Sequence, residues 1–215
     1  MGKRILLVLS ILLLTGCVRT DLVVENYDEL VLNVINNDNV VVNEVGCGYQ
    51  FYIPKGVRLL ENNENNQVFL ALNTKIYMYV DITSYYYKNT LNYNVIEGSY
   101  YYKEINNEDK KGFIQIFKEE DEYFLRMVYN YAKIETYTDG YDLNNIIVYS
   151  AILLNNVDYQ ENIIKNLLDD NSNLGSEITY YIEKPDGSDS EFSQILEEYI
   201  TTDDVGSVEQ QLPDD

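Results

Sequence analysis

Apolar residues occupy every second position of the stretch Ile76-Tyr77-Met78-Tyr79-Val80-Asp81-Ile82. Two tyrosines and an aspartate would lie opposite an apolar face that comprises Ile76, Met78, Val80 and Ile82. This period of two is typical of a half-buried β-strand. Similar alternation in Phe113–Phe117 and Tyr123–Tyr131 predicts an antiparallel sheet, with one face on the core and the other towards solvent.

The strand region extends to both sides of this stretch. Tyr49–Ile53 is a further predicted strand, which Pro54 would end and after which Gly56 would permit a turn. Between the strands we expect polar loops at Glu61–Asn66 and Asn106–Lys111. Strands are therefore expected to dominate the middle of the chain.

An amphipathic helix precedes the strands. Asn26 can cap it, and Glu29 stands at the reciprocal position of a capping box. Apolar side chains then recur at helical spacing from Tyr27 to Ile35. We therefore expect an N-terminal helix that packs its apolar stripe on the sheet.

Two more amphipathic segments follow the strands. Asp142 can cap a helix whose apolar face runs from Leu143 to Leu154. Asp158 and Glu161 open the next helix. Its apolar stripe comprises Ile163, Ile164, Leu167 and Leu168.

The beginning of the chain has the organisation of a secretory signal. Basic Met1–Arg4 precedes the apolar run Ile5–Leu14, which is too short to span a bilayer as a helix. The following Leu14-Thr15-Gly16-Cys17 resembles the lipobox of bacterial lipoproteins. That resemblance implies a diacylglyceryl group on the Cys17 sulfur and cleavage that makes Cys17 the new N-terminus. The expected location is the extracytoplasmic face of the cell membrane, with an ordinary cleaved signal as the alternative.

The order of these segments predicts the fold class and the boundaries. Strands that lie between helices, without strict alternation, indicate an α+β fold: an antiparallel β-sheet flanked by an N-terminal helix and two C-terminal helices. About 150 residues are enough for one hydrophobic core. The expected parts are a signal peptide at 1–16, a lipidated N-terminus and short spacer at 17–25, an α+β globular domain at 26–175, and an acidic tail at 176–215 with a short amphipathic helix near 190–200.

The composition disfavours several functions. The chain has 36 acidic and 15 basic residues, a formal charge of −21, and loss of Lys3 and Arg4 with the signal would make it two units more negative. Such a charge repels nucleic acids, so no nucleic-acid partner is expected. The chain has no histidine, which removes Ser-His-Asp and Cys-His catalysis and the HExxH zinc motif. We therefore expect no cofactor, no metal site and no enzymatic activity.

Tyrosine is abundant, with 22 residues in the chain. An AT-rich genome would favour tyrosine codons whatever the function. Alternatively, tyrosines supply rigid contact area with a polar tip for an envelope polymer such as a carbohydrate. The triplets Tyr85–Tyr87 and Tyr100–Tyr102 are expected at strand ends, where alternate rings are exposed. The candidate binding rings are Tyr85, Tyr87, Tyr100 and Tyr102.

Lys133 and Glu135, within Tyr131-Ala132-Lys133-Ile134-Glu135, are the ionisable residues of first interest for binding. Their expected role is a cross-strand ion pair at the sheet surface. An alternative function, a carboxylate-dependent envelope hydrolase, needs two facing carboxylates. With 36 acidic residues, the sequence alone does not single out such a pair.

The acidic tail contains one more amphipathic segment. Ser188 and Glu191 can form a capping box before an apolar stripe that comprises Phe192, Ile195, Leu196 and Tyr199. This helix either docks on its own domain or binds a protein partner.

Three stretches resemble uncharacterised lipoproteins of low-GC Gram-positive bacteria. They are Tyr49–Gly56, a long strand that ends with Tyr129–Glu135, and Ile152–Tyr159. The layout is also similar to PsbP-like α/β/α domains, in which a Phe-x-Ile-Pro-x-Gly-like strand leads into an antiparallel sheet flanked by helices. The resemblance implies a fold and an accessory or scaffolding role, and it transfers no catalytic residue. The expected function is a membrane-anchored, extracytoplasmic lipoprotein that serves as a non-catalytic binding or scaffolding module, with a protein or an envelope polymer as partner.

Overall fold

The fold consists mainly of antiparallel β-strands. A computed structural model describes residues 26–37, 42–90, 93, 95–169 and 176–182. The strands in this part of the chain are β1 (Glu44–Val45), β2 (Tyr49–Phe51), β3 (Arg58–Asn63), β4 (Asn66–Ala71), β5 (Thr74–Val80), β6 (Tyr101–Asn107), β7 (Lys110–Glu119), β8 (Glu122–Tyr129), β9 (Ala132–Asp139) and β10 (Asp158–Tyr159). Seven of them form a large sheet in the order β3-β4-β5-β9-β8-β7-β6, and three form a small sheet in the order β1-β2-β10.

Four helices in the described residues make the fold α+β, as the sequence predicts. They are α1 (Tyr27–Ile35), α2 (Ile82–Tyr87), α3 (Leu143–Asn155) and α4 (Glu161–Asp169). Helix α3 packs on β8 and β9, α1 packs on α3 and beside β6, and α2 packs against α4. Within the described ranges, no helix combines the length and the apolar character that crossing a bilayer requires.

The core lies between the large sheet and helices α1 and α3. Met78, Ile134 and Met127 occupy opposed positions on the neighbouring strands β5, β9 and β8. Each of these side chains is at most 1% exposed. Ile146 and Leu154 of α3 belong to the same buried cluster. Burial of each such side chain contributes about 1.5–3 kcal/mol to the free energy of folding. Successive side chains of a strand point to opposite faces, so the residues of β5 that face this core are apolar at every second position.

The large sheet is assembled from two meanders. Strands β3, β4 and β5 follow one another through hairpins, and so do β6, β7, β8 and β9. The two meanders meet at one seam, where Tyr77–Val80 of β5 pairs with Ala132–Glu135 of β9. The seam therefore joins residues that are distant in the chain.

The hairpin turns are shorter than the sequence suggests. Strands β3 and β4 remain paired as far as Asn63 and Asn66, so only two residues form the turn within the predicted loop Glu61–Asn66. The predicted loop Asn106–Lys111 is likewise reduced to a turn of two residues, Glu108 and Asp109.

The expected long strand that ends with Tyr129–Glu135 is wrong. Asn130 and Tyr131 have φ values of 51° and 61°, and the chain reverses there from β8 into β9. Positive φ at both central residues is the backbone of a type I′ hairpin turn, which usually contains glycine. Because this turn contains none, the sequence gives little sign of it.

The helix caps also differ from expectation. The side chains of Asn26 and Asp142 do not make the expected cap hydrogen bonds. Asp81 does cap a helix: its Oδ1 accepts a hydrogen bond from the Ser84 amide at 2.8 Å. Tyr85–Tyr87 therefore lie on helix α2, and their expected place at a strand end is wrong.

Candidate functional site

Four ionisable side chains converge at the seam, on the face of the large sheet that points away from α1 and α3. We name this side the outer face and the group the ionic cluster: Arg126, Lys133, Glu135 and Glu177. The Glu135 carboxylate lies 3.2 Å from Arg126 Nε and 3.0 Å from Lys133 Nζ. Lys133 Nζ also binds the carboxylate of Glu177. Two cations and two carboxylates therefore balance each other.

Strand geometry explains the position of the cluster. Lys133 and Glu135 lie two residues apart on β9, so both side chains project from the same face. The register places Arg126 of β8 directly opposite Glu135. The Arg126 side chain is only 2% exposed. Taking a guanidinium out of water costs several kcal/mol unless a carboxylate compensates for it, and Glu135 supplies such a carboxylate to the buried Arg126.

The expected role of Lys133 and Glu135 needs correction. They do form an ion pair, but both belong to one strand, and Lys133 is buried instead of lying at the surface. The cross-strand partner of Glu135 is Arg126. Sequence reasoning missed Arg126 and Glu177. The signal for Arg126 is its place inside an alternating strand, whereas Glu177 is remote in the chain and has no local signal.

An aromatic ring stands beside both cations of the cluster. The centroid of the Tyr93 ring lies 5.6 Å from the Arg126 guanidinium carbon and 5.6 Å from Lys133 Nζ. At such distances the face of the ring attracts cations. Burial, reinforced by nearby carboxylates that include Glu177, raises the pKa of the Tyr93 phenol far above its usual value. The phenol therefore stays neutral.

The cluster also shifts the pKa values of two of its members. Burial alone would lower the pKa of Lys133, but the carboxylates of Glu135 and Glu177 outweigh burial and raise it. Burial raises the pKa of Glu177, and the Lys133 ammonium offsets this only in part. Lys133 is therefore a permanent cation in the physiological range, and Glu177 takes up a proton at a higher pH than a free glutamate.

Residues 176–182, here named the strap, lie over the outer face although the sequence assigns them to the tail. Asn66 Nδ2 donates to the Ser176 carbonyl at 3.0 Å, and the Ile178 amide donates to Asn66 Oδ1 at 2.9 Å. The Tyr180 and Tyr77 rings pack with their centroids 5.0 Å apart. A cavity of about 280 Å³ remains between the strap and the strands beneath it.

A groove of about 470 Å³ opens on the same face. The Tyr93 ring lines this groove and also contacts both cations of the ionic cluster. The groove is lined by charges of both signs, by side-chain amides and by aromatic rings. They include Lys88, Lys111, Glu104, Asp109, Asn89, Asn106, Tyr102, Phe113 and Tyr131.

Two of the four tyrosines expected to bind a polymer lie near the start of β6: Tyr100 just before it and Tyr102 within it. Tyr102 lines the groove and packs on Phe113 with 5.8 Å between the ring centroids. Tyr100 is exposed and contacts the edge of Tyr123 at 6.2 Å, outside the groove. The expectation of alternate exposed rings at a strand end thus applies to this pair.

The other two candidate tyrosines lie on α2. Tyr85 stacks on Tyr159 with 3.8 Å between the ring centroids. Lys88 Nζ lies over the Tyr85 ring, 3.8 Å from its centroid. Tyr87 is exposed and packs edge to face with Tyr86. The structure therefore does not unite the four tyrosines in one platform, and Tyr102 is the one that lines the groove.

Other predicted residues lie outside the described residues. These are the expected lipidation residue, Cys17, and the expected partner helix with Phe192, Ile195, Leu196 and Tyr199. Within the described ranges, no three side chains of His, Cys, Asp or Glu are grouped as metal ligands would be.

Comparisons of the chain with protein-family models, with curated proteins and with solved structures find no match.

Proposed function

We propose that the chain is a membrane-anchored, extracytoplasmic lipoprotein that serves as a non-catalytic binding or scaffolding module. The groove beside the ionic cluster is the observation that carries the binding part of this proposal. The anchor part rests on Leu14-Thr15-Gly16-Cys17. A PsbP-like layout with an acidic tail also belongs to the proposal, and the packing of α1 and α3 at one face of the sheet supports it.

The anchor is tested by metabolic labelling in cells that express the chain. Native protein is expected to incorporate labelled palmitate, and Cys17→Ser is expected to lose the label. Cys47→Ser is the matched control, because Cys47 is half-buried in the folded domain and should not affect acylation. Label in the Cys17→Ser variant would contradict the lipobox.

The lining of the groove suits a polar ligand with little net charge. Lys88 and Lys111 balance Glu104 and Asp109. Amide and carboxylate groups bind hydroxyls, and an exposed ring such as Tyr102 packs on the apolar face of a sugar. A strongly anionic polymer is disfavoured because the chain itself has a formal charge of −21. These features favour an envelope carbohydrate as the ligand, which is the second candidate function.

Binding of purified protein to isolated cell-wall polysaccharide tests this candidate. Tyr102→Ala is expected to weaken binding roughly tenfold, because it removes an aromatic wall of the groove. Tyr87→Ala is the matched control: it removes an exposed tyrosine that does not line the groove. Equal loss in both variants, or no loss in either, would contradict a carbohydrate site in the groove.

A carboxylate-dependent hydrolase has less support. The two carboxylates that come together at the seam, Glu135 and Glu177, both bind the Lys133 ammonium. General acid and base carboxylates of a glycosidase instead face each other across the scissile bond. The cluster therefore resembles a structural ion-pair network more closely than an acid and base pair.

A further inference from the structure

The strap is held on the outer face by a few specific contacts. The side-chain amide of Asn66 binds the backbone of the strap. It donates a hydrogen bond to the Ser176 carbonyl at 3.0 Å and accepts one from the Ile178 amide at 2.9 Å. Such a pair of hydrogen bonds recognises a peptide backbone whatever its side chains. Asn66 itself is 2% exposed, so its amide is fixed in place.

Two side chains of the strap supply chemical selectivity. The Glu177 carboxylate binds Lys133, whose own position is fixed by Glu135 at 3.0 Å. Three residues further on, the Tyr180 ring packs on Tyr77 at 5.0 Å. The strap thus presents an acid and an aromatic ring to a cation and an aromatic ring of the sheet.

An apolar contact ends the strap. Ile182 packs against a small cluster on the outer face, separate from the main core. The cluster comprises Ile96, Phe117, Phe124 and Tyr137. Residues 176–182 form no helix, strand or turn. Asn66 binds a carbonyl and an amide two residues apart, Ser176 and Ile178, which point to the same side in an extended backbone.

The remaining contacts are weak. Tyr181 is 72% exposed and Ile178 is 42% exposed, although both lie within the strap. A cavity of about 280 Å³ separates parts of the strap from the strands. The strap belongs to no strand ladder, so side-chain contacts rather than a shared sheet hold it. Domains that recognise peptides of other proteins use the same kinds of contact, namely hydrogen bonds to the peptide backbone and pockets for individual side chains.

We infer that the outer face, from Asn66 through Lys133 to Phe124, is a peptide-docking surface that the strap of the same chain fills. It accepts from another protein an extended peptide with a carboxylate, an aromatic residue three positions later and an aliphatic residue two positions beyond that. The groove is not needed for this interaction, so the inference stands apart from the carbohydrate proposal.

Binding of a dye-labelled peptide with the sequence of residues 176–182 to the full chain tests the inference. In the wild-type protein the strap competes at a high effective concentration, so weak binding is expected. The double variant Glu177→Gln with Tyr180→Ala weakens the strap and is expected to bind the peptide at least about tenfold more tightly. Fluorescence anisotropy measures both affinities.

Two controls make the result specific. Tyr181→Ala removes an exposed tyrosine of the strap and is expected to bind as weakly as wild type. A peptide with the same two substitutions as the double variant is expected to lose binding to every protein. The inference is overturned if the double variant binds no better than Tyr181→Ala, or if the substituted peptide binds equally well.

A measurement on the wild-type protein covers the case in which the double variant does not fold. Excess unlabelled peptide is expected to displace the strap, and hydrogen exchange of the Ile178 amide should then accelerate, because it loses Asn66 Oδ1 as its acceptor. Unchanged exchange at saturating peptide would overturn the inference.

Discussion

At the residue scale, Glu135 is the carboxylate that binds both cations of the ionic cluster, Arg126 and Lys133. Glu135→Gln keeps the shape of the side chain but removes the negative charge that lies 3.2 Å from Arg126, whose side chain is 2% exposed. Breaking a buried pair from one side destabilises a protein by about 3 kcal/mol or more. We expect a loss of this size in the free energy of unfolding, measured by urea denaturation with an unchanged m-value.

Lys103→Gln is the matched control for this prediction. Lys103 also pairs with a carboxylate, at 3.5 Å from Asp28, but its side chain is 54% exposed. Exposed pairs contribute less than about 1 kcal/mol, so this variant should unfold close to the wild-type urea midpoint. Equal midpoints for Glu135→Gln and Lys103→Gln would show that the buried cluster is not a source of stability.

At the element scale, the pairing of β7 with β8 depends on a glycine. A Cβ on Gly112 would lie 1.9 Å from the Val128 carbonyl oxygen, a distance that only backbone movement can relieve. Gly112→Ala is therefore expected to destabilise the protein by about 1–3 kcal/mol. The same region forms one wall of the groove, so binding to the groove should weaken as well. Thermal unfolding and the polysaccharide assay measure the two effects.

Gly140→Ala is the companion substitution. The nearest atom to its Cβ would be a ring carbon of Tyr123 at 3.2 Å, and a tyrosine side chain can move by that small amount. The expected cost is less than about 1 kcal/mol. If Gly140→Ala lowers the stability as much as Gly112→Ala, the close approach of the β7 and β8 backbones does not explain the effect of the Gly112 substitution.

Helices and strands with a clear hydrophobic periodicity could be predicted from the sequence. A short helix that depends on one capping side chain could not. The alternation from Ile76 to Val80 and the helical stripe in Tyr27–Ile35 arise from one-sided burial, which sequence records directly. The predicted strand is wrong at its end, because Asp81 and Ile82 begin helix α2. Helix α2 spans only six residues, Ile82–Tyr87, too few for a period, and its tyrosines favour strands on propensity. The Asp81 cap that starts it could be recognised only with the helix in view.

The candidate site was predictable only within one strand. The spacing of Lys133 and Glu135 places them on one face, but the identity of their neighbour depends on the register with β8, which no local pattern defines. The strap could not be predicted from the sequence for a different reason. The sequence around it is acidic, which predicts a solvated tail. In the structure, however, the Glu177 carboxylate binds the Lys133 ammonium on the sheet.

At the scale of the whole molecule, buried phenols make stability depend on alkaline pH. Burial raises the pKa of Tyr129 to about 12, and it raises the pKa values of Tyr49 and Tyr137 further. An unfolded tyrosine has a pKa of about 10. Above pH 10 the unfolded chain therefore releases these protons first, and each phenol lowers the free energy of unfolding by up to about 1.4 kcal/mol per pH unit.

We expect the tyrosinate absorbance of the buried phenols and the far-ultraviolet circular dichroism to change together in one transition above pH 10. Tyr129→Phe should move this transition to higher pH, because it removes one such phenol. The Tyr129 hydroxyl has no hydrogen-bond partner among the described residues, so its removal leaves no broken bond. Titration of all tyrosines near pH 10 with unchanged circular dichroism would contradict this account.

The seam between the two meanders has a consequence for how the chain reaches its native state. Hairpins form from neighbouring residues and pay little loop-closure entropy, whereas the pairing of Tyr77–Val80 with Ala132–Glu135 closes one long loop. Each meander can assemble early and alone, and the seam is then the late, slow step. Lys133 and Glu135 lie in the segment of β9 that pairs at the seam, so both charges remain hydrated until that step occurs.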